Sequence, residues 1–324
     1  MFVMQEASKI YSFLPTWLPR TRRYSRWPVF RTVHRLLNHI WHSIRLPVRA
    51  NVHGFNVLLN PGNPYCLVVR EHPLFNAPLV QLVHQMARKG PLVFIDVGAA
   101  IGDTVLLLNE RCPRAISHYY CVEGDEEFYA ILEENMRQFK NVTLFKRLLA
   151  REVMHVRSLV KHHPGTAAPT GNKRVEAVPL DSINEVSATR IDILKVDVDG
   201  FDGEVLAGAI ATIDRSRPAI IFEWHPQLIL STGCDPFRGF ETLAACGYTS
   251  FLWFDNLGSF SHFSKADDRE NVDNMMKVLL AINNRRDQHF DIVALHPENE
   301  IDQIELASLN YAMSWRSKSK TRHS

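Results

Sequence analysis

Residues 92–104, with the sequence LVFIDVGAAIGDT, constrain the fold more than any other segment of the chain. Four apolar residues lead into Asp96, a loop of small residues with Gly98 and Gly102 follows, and a helix-like apolar pattern begins at Val105. A buried strand, a tight turn and a helix start in this order are typical of a nucleotide-type ligand site, because glycine lets the backbone approach the ligand. We therefore expect Asp96 at the carboxyl end of a buried strand, beside such a site.

The glycine loop disfavours a dinucleotide ligand. A G-x-G-x-x-G motif that starts at Gly98 needs glycine at positions 100 and 103, where the sequence has Ala100 and Asp103. An acid at the start of a helix would also repel a pyrophosphate, which the helix N-terminus otherwise attracts. S-adenosylmethionine (SAM) carries a sulfonium and an ammonium group and no phosphate, so it suits this loop better, with its amino-acid end facing Asp96. A nicotinamide-dependent oxidoreductase, or an acidic turn without a ligand, remains the alternative.

A second acid follows the next predicted strand. Glu123 ends the apolar segment 119–123 and lies 25 residues after Gly98. In nucleotide-binding folds a carboxylate at this place accepts hydrogen bonds from the two ribose hydroxyls. Asp96 and Glu123 thus end consecutive strands with a helix between them, and this pairing favours a cofactor site.

Composition and cysteine usage narrow the class of protein. The 324 residues are 46% hydrophobic and 22% charged, as in a globular protein that buries a large core. The five cysteines are widely spaced and form no C-x-x-C pair, which predicts reduced thiols rather than a disulfide framework or a zinc site. The sequence shows neither an apolar run of membrane-span length nor a signal-peptide core, so we expect a cytoplasmic protein.

The first fifty residues are strongly basic and contain three tryptophans. This segment contains eight arginines and Lys9 but only one acid, Glu6, whereas the whole chain has a net charge of only +2. Such a segment, predicted as a helical extension broken by prolines, can lie at an anionic membrane surface or form a solvated extension. Peripheral contact with the inner face of a membrane is therefore one of two alternatives, and no nucleic-acid partner is expected.

From Leu92 onward the chain alternates predicted strands and helices, which indicates right-handed crossovers and a parallel sheet. We predict an α/β fold with a doubly wound, mostly parallel, seven-stranded sheet and helices on both faces. The seven strands are predicted at 92–97, 118–123, 142–149, 191–197, 218–224, 248–254 and 290–296. The other predicted features are an antiparallel hairpin within 50–70, a helix at 79–87 and a polar insertion at 258–288.

These features divide the chain into three parts. Residues 1–50 are the basic helical extension, residues 51–300 are the main domain with its core at 90–255, and residues 301–324 are a C-terminal tail. The basic run at 316–324 is typical of a disordered tail.

The segment 191–209 forms the other strong chemical pattern. An apolar strand delivers Lys195, Asp197 and Asp199 to the sheet edge where ligands bind in doubly wound folds. Strand alternation places all three on one face if strand geometry continues to residue 199. Asp197 is then the best candidate for a group beside the reacting centre. The alternative is structural: Lys195 and Asp197 form a buried ion pair, and Asp199 caps the next helix.

Glu223 and His225 lie at the end of the predicted strand 218–224 and leave the same sheet edge. An imidazole with a pKa of about 6.5 can take a proton from a hydroxyl nucleophile, so the two are a candidate acid/base pair. A histidine before a proline also has structural roles, and that alternative stays open. Together with Asp197 and Asp199 they could hold a divalent metal, but the spacing matches no metal motif, so we predict no metal site.

Together these segments resemble the FkbM family of SAM-dependent methyltransferases, which have the class I Rossmann-like fold. The segments that match in order and spacing, across residues 90–255, are 95–104, 122–125, 178–183, 191–209 and 222–223. The resemblance implies that the methionine side of SAM contacts Asp96, Gly98 and Gly102, that Glu123 holds the ribose, and that Asp197 lies beside the transferring methyl group. The full set of expected cofactor-binding residues is Asp96, Gly98, Ala99, Gly102, Thr104, Glu123, Gly124 and Asp197.

The resemblance also implies an activity. Family members with known roles mostly methylate hydroxyl oxygens of sugars, glycolipids or polyketide-type products. We therefore expect a SAM-dependent O-methyltransferase for a carbohydrate, a glycoconjugate or a related small molecule, with Asp197 and either His225 or Glu223 as catalytic groups. A non-catalytic SAM-fold scaffold or membrane-associated binding module is the alternative outside the enzymes. Two positions depart from the family pattern, with Ala100 in place of Asn and Asp199 in place of Glu.

Overall fold

The computed structural model describes residues 29, 31–33, 35, 36, 39, 47–157, 160–163, 166–168, 174–282 and 288–308. Most of the predicted extension 1–50 and of the predicted tail 301–324 lies outside these residues. The strands are β1 Val48–Val52, β2 Phe55–Leu59, β3 Leu92–Val97, β4 Ile116–Glu123, β5 Val142–Lys146, β6 Leu148–Leu149, β7 Met154–Arg157, β8 Val160–His163, β9 Thr166–Ala168, β10 Arg174–Val178, β11 Ile193–Val196, β12 Ala219–Trp224, β13 Ser250–Asp255, β14 Phe260–Lys265 and β15 Phe290–Leu295. The α-helices are α1 Tyr65–Glu71, α2 Ala77–Met86, α3 Asp103–Arg111, α4 Glu126–Met136, α5 Asn184–Ser187, α6 Asp202–Ala207, α7 Ile210–Ser216, α8 Pro226–Thr232, α9 Arg238–Ala245, α10 Arg269–Ile282 and α11 Gln303–Ser308.

In the described part of the chain, eight strands form the central sheet, in the order β14-β13-β15-β12-β11-β3-β4-β5. Neighbours from β12 through β5 are parallel, whereas β15 runs antiparallel between β12 and β13. This confirms the predicted doubly wound, mostly parallel sheet, and each of the seven predicted strands is part of it. The sheet order reverses between β3 and β11, because the chain leaves β3 toward β4 and later returns to β3's other side with β11.

The central strands are buried on both faces, which explains their nearly continuous apolar sequences. Successive residues of β3 point to opposite faces: Phe94 packs in one core layer with Tyr119, with ring centroids 5.9 Å apart. Ile95 and Val97 pack in the other layer with Leu194. Both layers are built from helices that cross over the sheet, as the alternation of strands and helices predicts.

Within the segment 258–288, residues 260–265 are part of the sheet and residues 269–282 cover it, so the prediction of an insertion there is wrong. Strand β14 pairs antiparallel with β13, and Trp253 Nε1 donates a hydrogen bond to Ser264 Oγ at 2.9 Å. Helix α10 follows and buries Val272 and Leu279 in the second core layer. The edge strand was missed because only one of its faces is half-buried, so polar residues alternate along it and resemble a loop.

A hairpin from the N-terminal side of the domain reaches the glycine loop. Strands β1 and β2 pair in register through a two-residue turn, His53 and Gly54, whose φ angles are +54° and +87°. Asn135 of α4 fixes the hairpin: its Oδ1 accepts from Leu58 N at 2.7 Å, and its Nδ2 donates to Leu58 O and to Ile101 O, both at 2.9 Å. One buried amide thus connects the hairpin, helix α4 and the loop that follows β3.

Further described elements complete the domain. Strands β6, β10 and β7 form a small sheet, and β8 pairs with β9. Helix α11 packs against α2, since Glu305 accepts from Gln81 Nε2 at 3.2 Å and pairs with Arg88 at 2.7 Å. None of the described helices has the length and apolar character that crossing a membrane requires.

Candidate functional site

A cavity of about 310 Å³ lies at the carboxyl ends of β3, β4 and β11. This is the point where the strand order reverses, which is where ligands bind in doubly wound sheets. Residues from the strand ends form its floor, and residues from the segment 63–75 and from the start of α4 form its walls. The lining includes Asn63, Tyr65, Phe75, Gly98, Ala100, Asp103, Glu123, Gly124, Phe128, Arg147, Lys195, Asp197, Val198, Asp199 and Phe201.

Gly98 brings two strand ends together at the floor of the cavity. Its φ is +80°, and a Cβ at this position would lie 1.7 Å from the backbone oxygen of Asp197. The amides of Gly98 and Ala99 both donate to Val122 O, at 2.9 and 3.1 Å. The loop is therefore held against β4 on one side and against the end of β11 on the other, and only glycine fits between them.

Glu123 ends β4 with its carboxylate in the cavity wall. Its Oε2 accepts from the amide of Ala100 at 2.8 Å, and its Oε1 accepts from the amide of Asp125 at 2.7 Å. Burial raises the pKa of Glu123 to about 7, although these backbone hydrogen bonds oppose the shift. Each carboxylate oxygen has a further lone pair, so the ionised group can still accept hydrogen bonds from two neighbouring hydroxyls of a ligand.

Lys195 links two carboxylates at the sheet edge. Parallel pairing of β11 with β3 places Lys195 opposite Asp96. Lys195 Nζ lies 3.3 Å from Asp96 Oδ1 and 3.0 Å from Asp197 Oδ2. Asp96 is fully buried, and its oxygens have no hydrogen-bond partner among the described residues. Burial raises the pKa of Asp96, and the ammonium of Lys195 opposes that shift.

Asp197 and Glu223 differ in how readily they ionise, because their surroundings differ. Burial opposes ionisation of Asp197, but the charge of Lys195 and a hydrogen bond with Glu223 hold its pKa below the ordinary value. For Glu223, burial and the negative charges of Asp197 and Asp202 raise the pKa well above the ordinary value. Of the two carboxyl groups, Asp197 is therefore the one that ionises more readily.

His225 lies behind the cavity as a helix cap. Its Nδ1 accepts from the amide of Leu228 at 3.4 Å at the start of α8, and its ring stacks on His289 with centroids 5.1 Å apart. The described cavity wall includes neither His225 nor Glu223. This position agrees with the structural alternative for His225, and it leaves Asp197 as the predicted catalytic residue that contacts the cavity.

The turn after β11 departs from strand geometry. The strand ends at Val196, and Asp199 has a φ of +53°, so alternation does not place Lys195, Asp197 and Asp199 on one face. Asp199 lines the cavity through the turn instead. The turn itself is stabilised by Asp202, which accepts hydrogen bonds from the amides of Val198 at 3.2 Å and Gly200 at 3.1 Å.

Residues 96–249, which contain all of these strand ends, match the sequence profile of the methyltransferase FkbM domain. This segment is called the FkbM domain after that match. This match confirms the resemblance found in the sequence. No curated protein matches the chain.

Three methyltransferases are among the solved structures that are similar to this chain. The FkbM methyltransferase of Methylobacillus flagellatus KT is 16% identical, with a TM-score of 0.37; the alignment covers 50% of this chain and 40% of that one. The O-methyltransferase of Bacillus cereus in complex with SAH is 15% identical, with coverage of 70% and 88% and a TM-score of 0.37. The ribosomal protein L11 methylase of Lactobacillus delbrueckii subsp. bulgaricus is 11% identical, with coverage of 69% and 79% and a TM-score of 0.37.

The cavity of the FkbM domain contains four of the residues predicted to bind the cofactor: Gly98, Glu123, Gly124 and Asp197. The other four are buried and outside the described lining. Asp96 pairs with Lys195, which lines the cavity, and the remaining three are Ala99, Gly102 and Thr104. Half of the predicted cofactor-binding residues thus line the cavity.

Sequence reasoning missed the wall formed by residues 63–75, which includes Asn63, Tyr65 and Phe75. It also used Asp103 only as an argument against phosphate, although Asp103 lines the cavity and burial raises its pKa to about 6 against the opposing charge of Lys195. The acid at the start of α3 was visible in the sequence. The 63–75 wall was not, because it reaches the cavity through tertiary packing of the hairpin.

In the part of the chain that the structure describes, no three histidine, cysteine, aspartate or glutamate side chains are grouped so as to hold a metal ion. The acids near Asp197 are arranged around Lys195 and around backbone amides instead.

Proposed function

We propose that the FkbM domain binds SAM and transfers its methyl group to a hydroxyl oxygen of a small acceptor, namely a carbohydrate, a glycoconjugate or a related molecule. One observation carries the proposal: the backbone at Gly98 and the carboxylates of Glu123 and Asp197 meet in one cavity at the point where the sheet order reverses. The choice of oxygen and of a carbohydrate rests on the family resemblance, and the cavity is consistent with it.

The residues of the cavity fit a cationic cofactor without phosphate. The close approach of Gly98 to Asp197 leaves a floor of bare backbone, and the buried carboxylate of Asp96 lies 3.3 Å from Lys195 Nζ of the lining. The lining has more acids than bases, since Lys195 and Arg147 are its only cations among the described residues. When bound, SAM supplies an activated methyl group on a positively charged sulfur, which this acidic lining would favour.

In this proposal Glu123 holds the ribose. Its two oxygens are fixed by one backbone amide each, so the carboxylate cannot rotate away from the cavity. A carboxylate held in this way can accept from two adjacent hydroxyls at once, and such bidentate bonds give orientation as well as affinity. Only the ionised form accepts in this way with both oxygens.

Asp197 is placed to orient the acceptor. Its carboxylate is about half exposed to the cavity and stays ionised because Lys195 lies 3.0 Å away. An ionised carboxylate accepts a hydrogen bond from an incoming hydroxyl and aligns that oxygen for in-line attack. Methyl transfer needs little covalent help from a protein, so alignment and exclusion of water are the main contributions expected of these residues.

The experiment is a transfer assay with methyl-labelled SAM and octyl glucoside, galactoside and mannoside as acceptors. We expect label in the glycoside fraction, with a lower kcat for Asp197→Asn. The exposed acid Glu126, paired with Lys146 at 2.8 Å outside the cavity, gives the matched control Glu126→Gln, which should retain full activity. Absence of transfer to every glycoside, with intact SAM binding, would contradict the assignment of a carbohydrate hydroxyl. Absence of SAM binding would favour a non-catalytic scaffold.

A further inference from the structure

A hydrogen-bonded chain of side chains leads into the wall of the cavity. Glu110 Oε2 lies 2.6 Å from His53 Nδ1, and His53 Nε2 lies 2.8 Å from the hydroxyl of Tyr65. Tyr65 lines the cavity. The three residues come from three separate elements, which are the last turn of α3, the turn of the β1–β2 hairpin and the first residue of α1.

The chemistry of the three groups fixes the direction of the hydrogen bonds. A carboxylate only accepts, so Nδ1 of His53 carries the proton given to Glu110. In the neutral ring Nε2 is then an acceptor, and the Tyr65 hydroxyl donates to it. Burial opposes ionisation of Glu110, but the hydrogen bond from His53 and the charge of Arg111 hold its pKa below the ordinary value. The same order of acid, imidazole and hydroxyl activates nucleophiles in hydrolases.

The backbone at His53 is strained, and an asparagine would fit this turn better. The φ angles of His53 and Gly54 are +54° and +87°, as in a type I′ turn, where Asn-Gly is the favoured sequence. A bulkier residue in the left-handed region is a pattern found at functional positions. The His53 side chain is only 7% exposed, so the turn directs it inward against Tyr65 and Glu110.

Tyr65 and Asp197 line the same cavity, as do Asp103 and Lys195. Burial and then the negative charge of Asp103 raise the pKa of Tyr65 well above its ordinary value. The relay therefore ends in the cavity that contains the groups proposed to orient the acceptor.

The other candidate acids and bases near Asp197 are poorly positioned to take the proton of the acceptor. Glu223 and His225 lie outside the described cavity lining, and Nδ1 of His225 caps α8. Asp197 lines the cavity, but the charge of Lys195 holds its pKa below the ordinary value. An imidazole can act as a general base, and that of His53 lies 2.8 Å from the hydroxyl of Tyr65 in the cavity wall.

We propose that Glu110, His53 and Tyr65 form the proton relay for the acceptor hydroxyl, an inference that rests on the proposed function. As the acceptor oxygen bonds to the methyl carbon, the pair of electrons of the carbon–sulfur bond stays on sulfur. The proton of the acceptor passes to the Tyr65 oxygen while the proton of Tyr65 moves to His53 Nε2. Ionised Glu110 then stabilises the imidazolium. Tyr65 is the catalytic residue of the relay, and His53 and Glu110 act through it.

The other titratable groups around the relay are Asp103 and Arg111 from α3 and the thiol of Cys66 beside Tyr65. Burial raises the pKa of Cys66 to about 11, so its thiol stays protonated. Asp103, whose pKa is about 6, is the competing base within the cavity and needs its own variant.

The test compares Tyr65→Phe, His53→Asn and Asp103→Asn in the labelled-SAM assay with octyl glycosides. Tyr65→Phe keeps the ring, and His53→Asn keeps a residue that accepts the left-handed turn. We expect Tyr65→Phe and His53→Asn each to lower kcat by about 100-fold or more, as loss of a general base does, with the Kd for S-adenosylhomocysteine unchanged. The double variant should be no slower than either single one, because the two act as a unit. His118, which bonds Thr143 at 2.9 Å outside the cavity, gives the control His118→Asn, with kcat unchanged.

A second measurement does not depend on turnover. Ring nitrogen NMR of His53 at about pH 8, above the ordinary imidazole pKa, should show a protonated Nδ1 and a bare Nε2 whose shift changes in Tyr65→Phe. A protonated Nε2 would overturn the relay, and so would full kcat in Tyr65→Phe, or a loss confined to Asp103→Asn. Failure of the unmodified protein to transfer label or to bind S-adenosylhomocysteine would overturn the proposed function, and the relay with it.

Discussion

Gly98 is the residue on which the geometry of the cavity floor depends. A side chain there meets two penalties, the left-handed φ of +80° and a contact of 1.7 Å with the Asp197 backbone. We expect Gly98→Ala to lower the free energy of unfolding by more than about 2 kcal/mol and to abolish S-adenosylhomocysteine binding. Urea unfolding and calorimetry measure the two effects.

Gly233 provides the matched control for Gly98. Its φ is +78°, almost the same, but a Cβ at this position would meet nothing within 4 Å. Gly233→Ala should therefore cost only the backbone strain, about 1 kcal/mol, and leave binding intact. Equal losses for the two variants would show that the contact with Asp197 does not matter.

The pKa of Glu123 predicts opposite effects of pH on binding and on stability. Burial raises this pKa to about 7, so the ionised carboxylate that holds a ribose forms as the pH rises through 7, and affinity for S-adenosylhomocysteine should rise with it. A raised carboxyl pKa stabilises the folded state below the unfolded pKa of about 4.3, and that stabilisation, on the order of 3 kcal/mol, is lost as pH rises to 7.

Glu123→Gln separates these effects from those of other buried acids. Asp291 and Asp103 have pKa values of about 7 and about 6, so they titrate in the same range in both proteins. The unfolding free energy of the unmodified protein minus that of Glu123→Gln should therefore decrease as the pH rises from about 4 to about 7, which is the interval between the unfolded and folded pKa values of Glu123. A difference that does not vary with pH would show that Glu123 titrates normally.

At the scale of elements, Asn135 holds the hairpin and the glycine loop in one arrangement. Its side chain is 2% exposed and satisfies Leu58 N, Leu58 O and Ile101 O. Asn135→Ala would leave buried polar groups unpaired, so we expect a loss of about 2–4 kcal/mol in unfolding free energy and weaker S-adenosylhomocysteine binding. Asn141→Ala, which removes a single bond of 3.2 Å to Ile116 O, should cost about 1 kcal/mol and leave binding unchanged. Normal binding by Asn135→Ala would argue against this coupling.

The elements around the glycine loop follow closely from the sequence. The bounds of β3 are those predicted, and α3 covers the helix-like pattern that begins at Val105, because a continuous apolar run and a helical pattern are separated by glycines with positive φ. Strand β14 and helices α1 and α8 were missed, since a half-exposed edge strand and short helices carry little periodicity. The turn at Asp199 was also not predictable, as the left-handed conformation is stabilised by hydrogen bonds to Asp202.

The floor of the candidate site was predictable and its wall was not. Strand order in a doubly wound sheet places Glu123 and Asp197 at one edge, so local patterns are sufficient to find them. Tyr65 reaches the cavity only because His53 and Asn135 fix the hairpin and the segment after it. Contacts between residues far apart in sequence leave no periodic pattern in a single sequence.

At the scale of the whole molecule, the basic N-terminal segment predicts an attachment that does not involve the cavity. Strand β1 begins at Val48, so deletion of residues 1–46 leaves the hairpin complete. We expect the full chain to sediment with vesicles that contain phosphatidylserine and not with neutral phosphatidylcholine vesicles, and the deleted protein to stay in solution while binding S-adenosylhomocysteine normally. If both proteins sedimented equally with the vesicles, the membrane contact would belong to another surface. If the full chain did not sediment with them at all, the solvated extension would be favoured.

Binding of the cofactor product tests the central claim most directly. Calorimetric titration with S-adenosylhomocysteine at about pH 8, above the pKa of Glu123, should give a micromolar Kd for the unmodified chain and for Glu126→Gln, and no measurable binding for Glu123→Ala. NADH should give no heat. Absence of both heat and thermal stabilisation for the unmodified chain at high S-adenosylhomocysteine, or equal affinity in Glu123→Ala, would contradict a SAM site at this sheet edge.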